Sequence, residues 1–350
     1  MLGDGMVQRD QTTSGAATRG KGHEPPTAPG DAVPAGRPAG DPWPRFAAAA
    51  ILSGAAFWAV YGAFVLTEPG QRSENLALLG AVFRSEADRE ASLGRLSLIS
   101  VVSFGIAVLL AFLVGTMRGR ARLGLLTVGV MAGSILAAEL LKEVLPRPAL
   151  VEGPAWILRN DFPSGTSTIA AGIGVAMLLV SPDRLRWLAL PAAALSAGFI
   201  GQATQVAGWH RLSGAIGGVF LVVAVASSAL LILARAGFVG PSVHGRVSAR
   251  IRGPLVGLGS ILILVGAVVL GIFVAFPLLR APEGASSAFL HTTFDAVGSG
   301  VTVLVFVAFA AAIEPFALGV RGAAADQPRR PPIPPIRPIR PIRPIRPGGP

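Results

Sequence analysis

The chain has no cysteine, a single tyrosine and little charge of either sign: Asp, Glu, Lys and Arg make up 14% of its 350 residues. Without cysteine there is no disulfide framework, no thiolate nucleophile and no cysteine metal site. A soluble domain is usually about 25% charged. A chain with 52% hydrophobic residues and a mean hydropathy of +0.61 belongs in lipid instead. Lysine is almost missing as well: of 30 basic residues only Lys21 and Lys142 are lysines, and every other cation is arginine. The net charge of +11 does not point to nucleic acid. A nucleic-acid-binding face needs clustered cations with base-reading groups, and here the arginines fall largely in tails and short loops.

What is present are long apolar runs, each about 20 residues, enough to cross a hydrocarbon core of roughly 30 Å. They predict an all-α, polytopic membrane bundle of about eight spans, at 46–67, 96–116, 122–143, 164–181, 187–207, 213–234, 254–278 and 294–319. Residues 1–44 are polar and rich in Gly, Pro, Ala and Thr, which reads as a disordered tail rather than a secretory signal. Residues 45–236 form a six-helix core, 237–320 two further helices, and 321–350 a second, Pro/Arg-rich disordered tail. Arginines gather in alternate connections: Arg118, Arg120 and Arg122, then Arg184 and Arg186, then Arg235, Arg246, Arg250 and Arg252. The positive-inside rule therefore expects a multi-pass protein of the cell membrane with both termini cytoplasmic. The last tail repeats Pro-Ile-Arg. At three residues per polyproline turn this stacks arginines along one edge, for contact with anionic lipid or a protein partner, or it is a solvated low-complexity tail.

On that topology, three chemically unusual pieces emerge at the outer face. Lys142, Arg147 and Pro148 follow the third run; Pro163, Ser164 and Gly165 open the fourth; and "GWHRLSGAIGG" brings His210 and Arg211 into a very short turn between the fifth and sixth. A Pro-Ser-Gly start leaves backbone N–H groups free at a helix N-terminus, where the macrodipole favours an anion. Two cations, a hydroxyl, that helix start and an imidazole suggest a phosphate site. Taken singly, each has a plainer reading: Lys and Arg at helix ends snorkel to the interface, and a lone loop histidine is solvated.

The order and placement of these residues resemble the type 2 phosphatidic acid phosphatase family, which includes bacterial lipid phosphatases and is related to vanadium haloperoxidases. The resemblance covers about residues 46–234. It implies a six-helix core whose outer face carries Lys-x6-Arg-Pro, Pro-Ser-Gly-His and Ser-Arg-x5-His-x3-Asp. Motif one is shortened here to four residues between Lys142 and Arg147; motif two has Thr166 where the acid histidine belongs; motif three keeps His210 but has Thr204 for arginine and Gly214 for aspartate. The resemblance implies His210 as nucleophile and Lys142, Arg147, Ser164 and Gly165 as phosphate ligands. Neither cofactor nor metal is expected, since the family's chemistry runs without one and no ligand cluster is visible.

Thr166 has no proton to give near neutral pH. Losing general-acid help costs about 10²–10⁴-fold, and losing the carboxylate that holds a catalytic histidine cost about 10⁴-fold in the serine triad. Asp161, Glu152, His291 and Asp295 are candidate substitutes, and Glu139, one turn before Lys142, is placed to pair with it. The expected function is thus binding of a phosphorylated membrane lipid with weak or lost phosphatase activity. The competing reading is a multi-span transporter or scaffold.

Overall fold

A computed structural model describes residues 41–241 and 283–319. The N-terminal tail, the run at 254–278 and the Pro-Ile-Arg repeat lie outside the described residues. The described chain is helical: α1 (Trp43–Val60, prolonged by a π-turn to Val65), α2 (Glu68–Gly80), α3 (Glu86–Ser97), α4 (Val101–Met117), α5 (Ala121–Val144), the single turn α6 (Ala155–Leu158), α7 (Gly165–Val180), α8 (Arg186–Val206), α9 (Leu212–Arg235) and α10 (Glu283–Ile313). Hydroxyl caps set several of the starts. Thr67, Ser85 and Ser164 accept backbone N–H groups of α2, α3 and α7, and Ser100 with Ser103 makes a capping box for α4. Each cap satisfies a donor that the helix itself leaves orphaned.

The eight-span expectation is corrected. Among the described residues four helices are long and apolar enough to cross a membrane: Trp43–Val65, Ala121–Val144, Leu212–Arg235 and Ser287–Ile313. A fifth is reached if α3 and α4, bent by 50° at their junction, count as one broken span. The physical reasons are local. The fourth run becomes α7, with 16 residues, about 24 Å long at 1.5 Å per residue and short of a full crossing. The fifth becomes α8, which begins at Arg186, contains Pro191 and ends in Gln202, Thr204 and Gln205. By length and composition the chain still reads as a multi-pass membrane protein.

Burial agrees with an apolar surround. Large hydrophobic side chains point outward on α1, α4, α5 and α9, with Ile51, Leu109, Leu136 and Ile232 all exposed, while Ser53, Thr127, Ser134, Thr204 and Ser227 are buried. Contiguous exposed apolar surface of that kind needs a cover. The main core is built from α7, α8, α9 and α10 around Leu178, Leu179, Leu190, Val222, Leu230, Phe306 and Phe309. The sequence reading set α10 apart from the six-helix core; it packs into the same core, and also against α2. Helices α4 and α5 form a hairpin at whose tight end Gly115 and Gly124 meet. A Cβ on Gly115 would lie 2.6 Å from the Gly124 Cα, so only glycine permits that approach.

The bundle has two distinct ends. At one, Asp183 takes an ion pair from Arg186 at 3.1 Å, with Arg120 at 3.9 Å, and Arg186 donates to the Phe316 carbonyl at 2.7 Å. There a two-stranded antiparallel sheet, β1 (Val239–Pro241) with β2 (Phe316–Leu318), closes over Phe46. The other end carries Lys142, Asp161 and His210.

Candidate functional site

Three local devices build the Lys142 end. Helix α8 stops at Gly208, whose φ of +72° is a left-handed conformation that only glycine adopts freely. Its N–H donates to the Gln205 carbonyl and those of Trp209 and His210 both reach the Thr204 carbonyl, folding "GWH" into one tight turn. Helix α5 ends under Asn160, whose side-chain amide donates to the Lys142 and Leu145 carbonyls. The starts of α7 and α9 are tied by the Ser164 N–H donating to the Gly214 carbonyl at 2.9 Å.

Together these place Lys142 and His210 in one cavity of about 240 Å³, lined also by Leu78, Arg159, Asn160, Asp161 and Arg211. The Lys142 ammonium stands directly over the first residue of α7: a Cβ on Gly165 would lie 3.2 Å from Nζ and 2.5 Å from the Glu139 carboxylate. Glu139 pairs with Lys142 at 2.7 Å. It is the more exposed partner, 57% against 21%, so an incoming anion can displace it at small cost, since exposed pairs contribute about 0–1 kcal/mol.

His210 is mostly buried, and its Nδ1 has no hydrogen-bond partner among the described residues. The nearest carboxylate is Asp161, with Oδ2 at 3.9 Å. Burial lowers the imidazole pKa below its usual 6.5, with Lys142 and Arg211 adding to the effect and Asp161 opposing it. The ring is therefore neutral at pH 7, as a nucleophile must be. With the Nδ1 proton facing Asp161, Nε2 keeps its lone pair.

Several expected ligands are otherwise employed. The Ser164 hydroxyl is completely buried and caps α7 by accepting the Ser167 N–H. Thr166 is half-buried in the first turn of α7 and does not line the cavity. Arg147 does not line it either; its two terminal guanidinium nitrogens are buried without a partner among the described residues. Burial, then Arg211, draws its pKa down, while Glu74 and Asp161 pull the other way. Arg211 is spent on structure. It donates to Asn75 Oδ1 at 3.0 Å, to Asp161 Oδ1 at 2.7 Å and to the Ile157 carbonyl, and its backbone N–H meets Asp161 Oδ2 at 3.1 Å.

Two functional neighbours were beyond the sequence reading. Glu74, on α2, is buried beneath α9, where it accepts the Ser213 N–H at 2.7 Å and the Ser213 hydroxyl at 3.0 Å. Asn75 anchors Arg211. Both lie more than a hundred residues away from their partners, and nothing in "SENLALLG" marks them. Asp161 was one of four candidate carboxylates or imidazoles, and it alone of the four reaches His210. Gly214, at the expected aspartate, leaves little space for a side chain: a Cβ there would lie 3.0 Å from the Asp161 carbonyl oxygen. No family model matches this chain, and neither does any curated protein or solved structure.

Proposed function

We propose that the cavity at the Lys142 end binds the phosphate group of a phosphorylated membrane lipid, and that the chain is a diverged type 2 phosphatidic acid phosphatase in which turnover is slow. The observation that carries the reading is that Lys142 and a neutral His210 line one cavity, with the Lys142 ammonium lying against Gly165 at the start of α7. Arg159 adds a further cation to its lining, and the one lining carboxylate, Asp161, is already neutralised by Arg211. The six arginines Arg118, Arg120, Arg122, Arg184, Arg186 and Arg235 lie towards the other end of the bundle, which supports a cavity facing outward under the positive-inside rule.

In this reading Lys142 and the α7 N–H groups hold the phosphate oxygens. His210 Nε2 attacks phosphorus, the bond to the lipid oxygen breaks, and the imidazole Nδ1–H is stabilised by Asp161 in place of the missing residue at 214. Water then cleaves the phosphohistidine to free phosphate. The weak step is departure of the lipid alkoxide: Thr166 offers no acidic proton, so the leaving oxygen must draw one from solvent, and a rate deficit of about 10²–10⁴-fold follows.

Purified full-length chain in detergent, titrated with a phosphatidate and a polyprenyl phosphate, tests the binding. A hydrogen bond to a charged group is worth about 1.5–3 kcal/mol, so Lys142→Ala should weaken retention roughly 10- to 100-fold. Equal retention in wild type and variant ends the proposal. Phosphate release lost in His210→Ala assigns the nucleophile; identical residual release places any turnover elsewhere.

A further inference from the structure

Against α2, outside the cavity lining, the chain buries a second polar cluster that the phosphate reading leaves unused. His291 and Asp295 lie one turn apart on α10, and both are almost fully buried. Asp295 Oδ2 takes an ion pair from Arg84 at 2.6 Å, and His291 Nε2 stands 3.6 Å from the same oxygen. On its other side the His291 ring meets α2, with Nδ1 3.0 Å from the Ala77 carbonyl oxygen. His291 Nε2, Asp295 Oδ1 and Arg84 Nε have no hydrogen-bond partner among the described residues.

The ring is thus caught between two acceptors, a carbonyl and a carboxylate. A neutral imidazole has one donor and one acceptor nitrogen. If Nδ1 donates to Ala77, the Nε2 lone pair faces a carboxylate oxygen. If Nε2 donates to Asp295, the Nδ1 lone pair faces a carbonyl at 3.0 Å. Either neutral tautomer with ionised Asp295 leaves two lone pairs opposed in a buried seam, where an unsatisfied polar group is costly. One added proton removes the conflict, whether it sits on Nε2 or on the carboxyl.

We propose that the α2–α10 seam is a proton-binding site in which His291 Nε2 and Asp295 share one proton, so that docking of α10 on α2 depends on pH. The groups facing the pair agree with this assignment. Arg84 is the one charged residue among those described that acts on either member, and it is 27% exposed, so solvent reaches its charge and softens its repulsion of the proton. From α2 the pair meets the Ala77 carbonyl and the Gly80 backbone, while α9 packs apolar Leu212 and Ile216 against Leu290 and Phe294 of α10, and the Gln205 amide of α8 approaches α10 at Gly298. Because α2 also supplies Leu78 to the cavity and Glu74 to the start of α9, loss of the proton loosens the wall on which the cavity rests. The seam does not depend on what the cavity binds.

The test is spectroscopic, on full-length chain in detergent at about pH 7, near the ordinary histidine value. Nitrogen-15 labelled histidine, assigned by the signal lost in His291→Gln, reports Nε2, and the infrared carboxyl band lost in Asp295→Asn reports the acid. The expected result is a protonated Nε2 or a protonated Asp295 carboxyl. A neutral ring beside an ionised Asp295 overturns the proposal. In Asp295→Asn the amide donates permanently to Nε2 and its oxygen still accepts from Arg84. Measured in a Glu74→Gln background, to remove that group's titration, the fall in apparent melting temperature with rising pH should vanish in Asp295→Asn. An equal fall with and without the substitution also overturns it.

Discussion

Glu74 offers the sharpest test of how the interior of the cavity wall is held. Its carboxyl is buried, its hydrogen-bond partner is Ser213, and burial followed by Asp161 pushes its pKa from 4.5 up to about 7, with the Ser213 bonds and Arg211 opposing. A carboxyl raised in this way resists ionisation in the folded chain. The folded state is therefore unpenalised below about pH 4.5 and loses stability as pH rises through about 7. At 1.36 kcal/mol per unit, the full penalty above that pH is about 3 kcal/mol. Glutamine keeps both contacts, since its oxygen accepts the Ser213 N–H and its amide donates to the hydroxyl. Glu74→Gln should then raise the apparent melting temperature in detergent by roughly 6 °C at about pH 8, taking about 2 °C per kcal/mol for a chain of this size. Near pH 5 the two proteins should melt almost together. A glutamine variant no more stable than wild type at pH 8 refutes the claim that Glu74 is buried against its charge.

Other substitutions probe the remaining parts. Gly214→Asp, which restores the family's residue, should destabilise by about 1–3 kcal/mol because its Cβ presses on the Asp161 carbonyl; a melting temperature equal to wild type, or a gain in phosphate release, contradicts the geometry. Arg211→Lys cannot span Asn75, Ile157 and Asp161 at once, and leaving that buried acid poorly paired should cost about 3 kcal/mol or more, read as a lowered denaturation midpoint. His210, with its pKa lowered by burial, should remain reactive towards an imidazole-acylating reagent at about pH 6, where an ordinary histidine is mostly protonated; mass spectrometry showing protection there rules out the neutral ring.

Legibility followed the range of each interaction. The tight turn in "GWHRLSGAIGG" and the helix start at Pro163-Ser164-Gly165 were readable because both are made within a few residues; that the Ser164 hydroxyl caps α7 instead of facing a phosphate was not. Lys142 and His210 could be placed on one face because short loops fix which end of a helix each occupies. The number of spans was misjudged because apolar composition does not fix helix length: α7 is cut to 16 residues between its Ser164 cap and Ser181, and α8 carries polar side chains along its last turn. Asp161 was recognised as a candidate, yet its partner could not be chosen without the fold.

The sequence by itself determined a helical chain made for lipid, with arginines gathered at one end of the bundle and a lysine and a histidine at the other, since hydropathy, caps and loop lengths are properties of neighbours. Only the tertiary structure decided that Arg211 is a clamp, that Asp161 faces His210, that Glu74 lies under α9, and that His291 and Asp295 meet Arg84. Those pairs are separated by 49 to 211 positions, or owe their state to burial, which no single segment carries. What a charged side chain does depends on what surrounds it, and that is settled by packing.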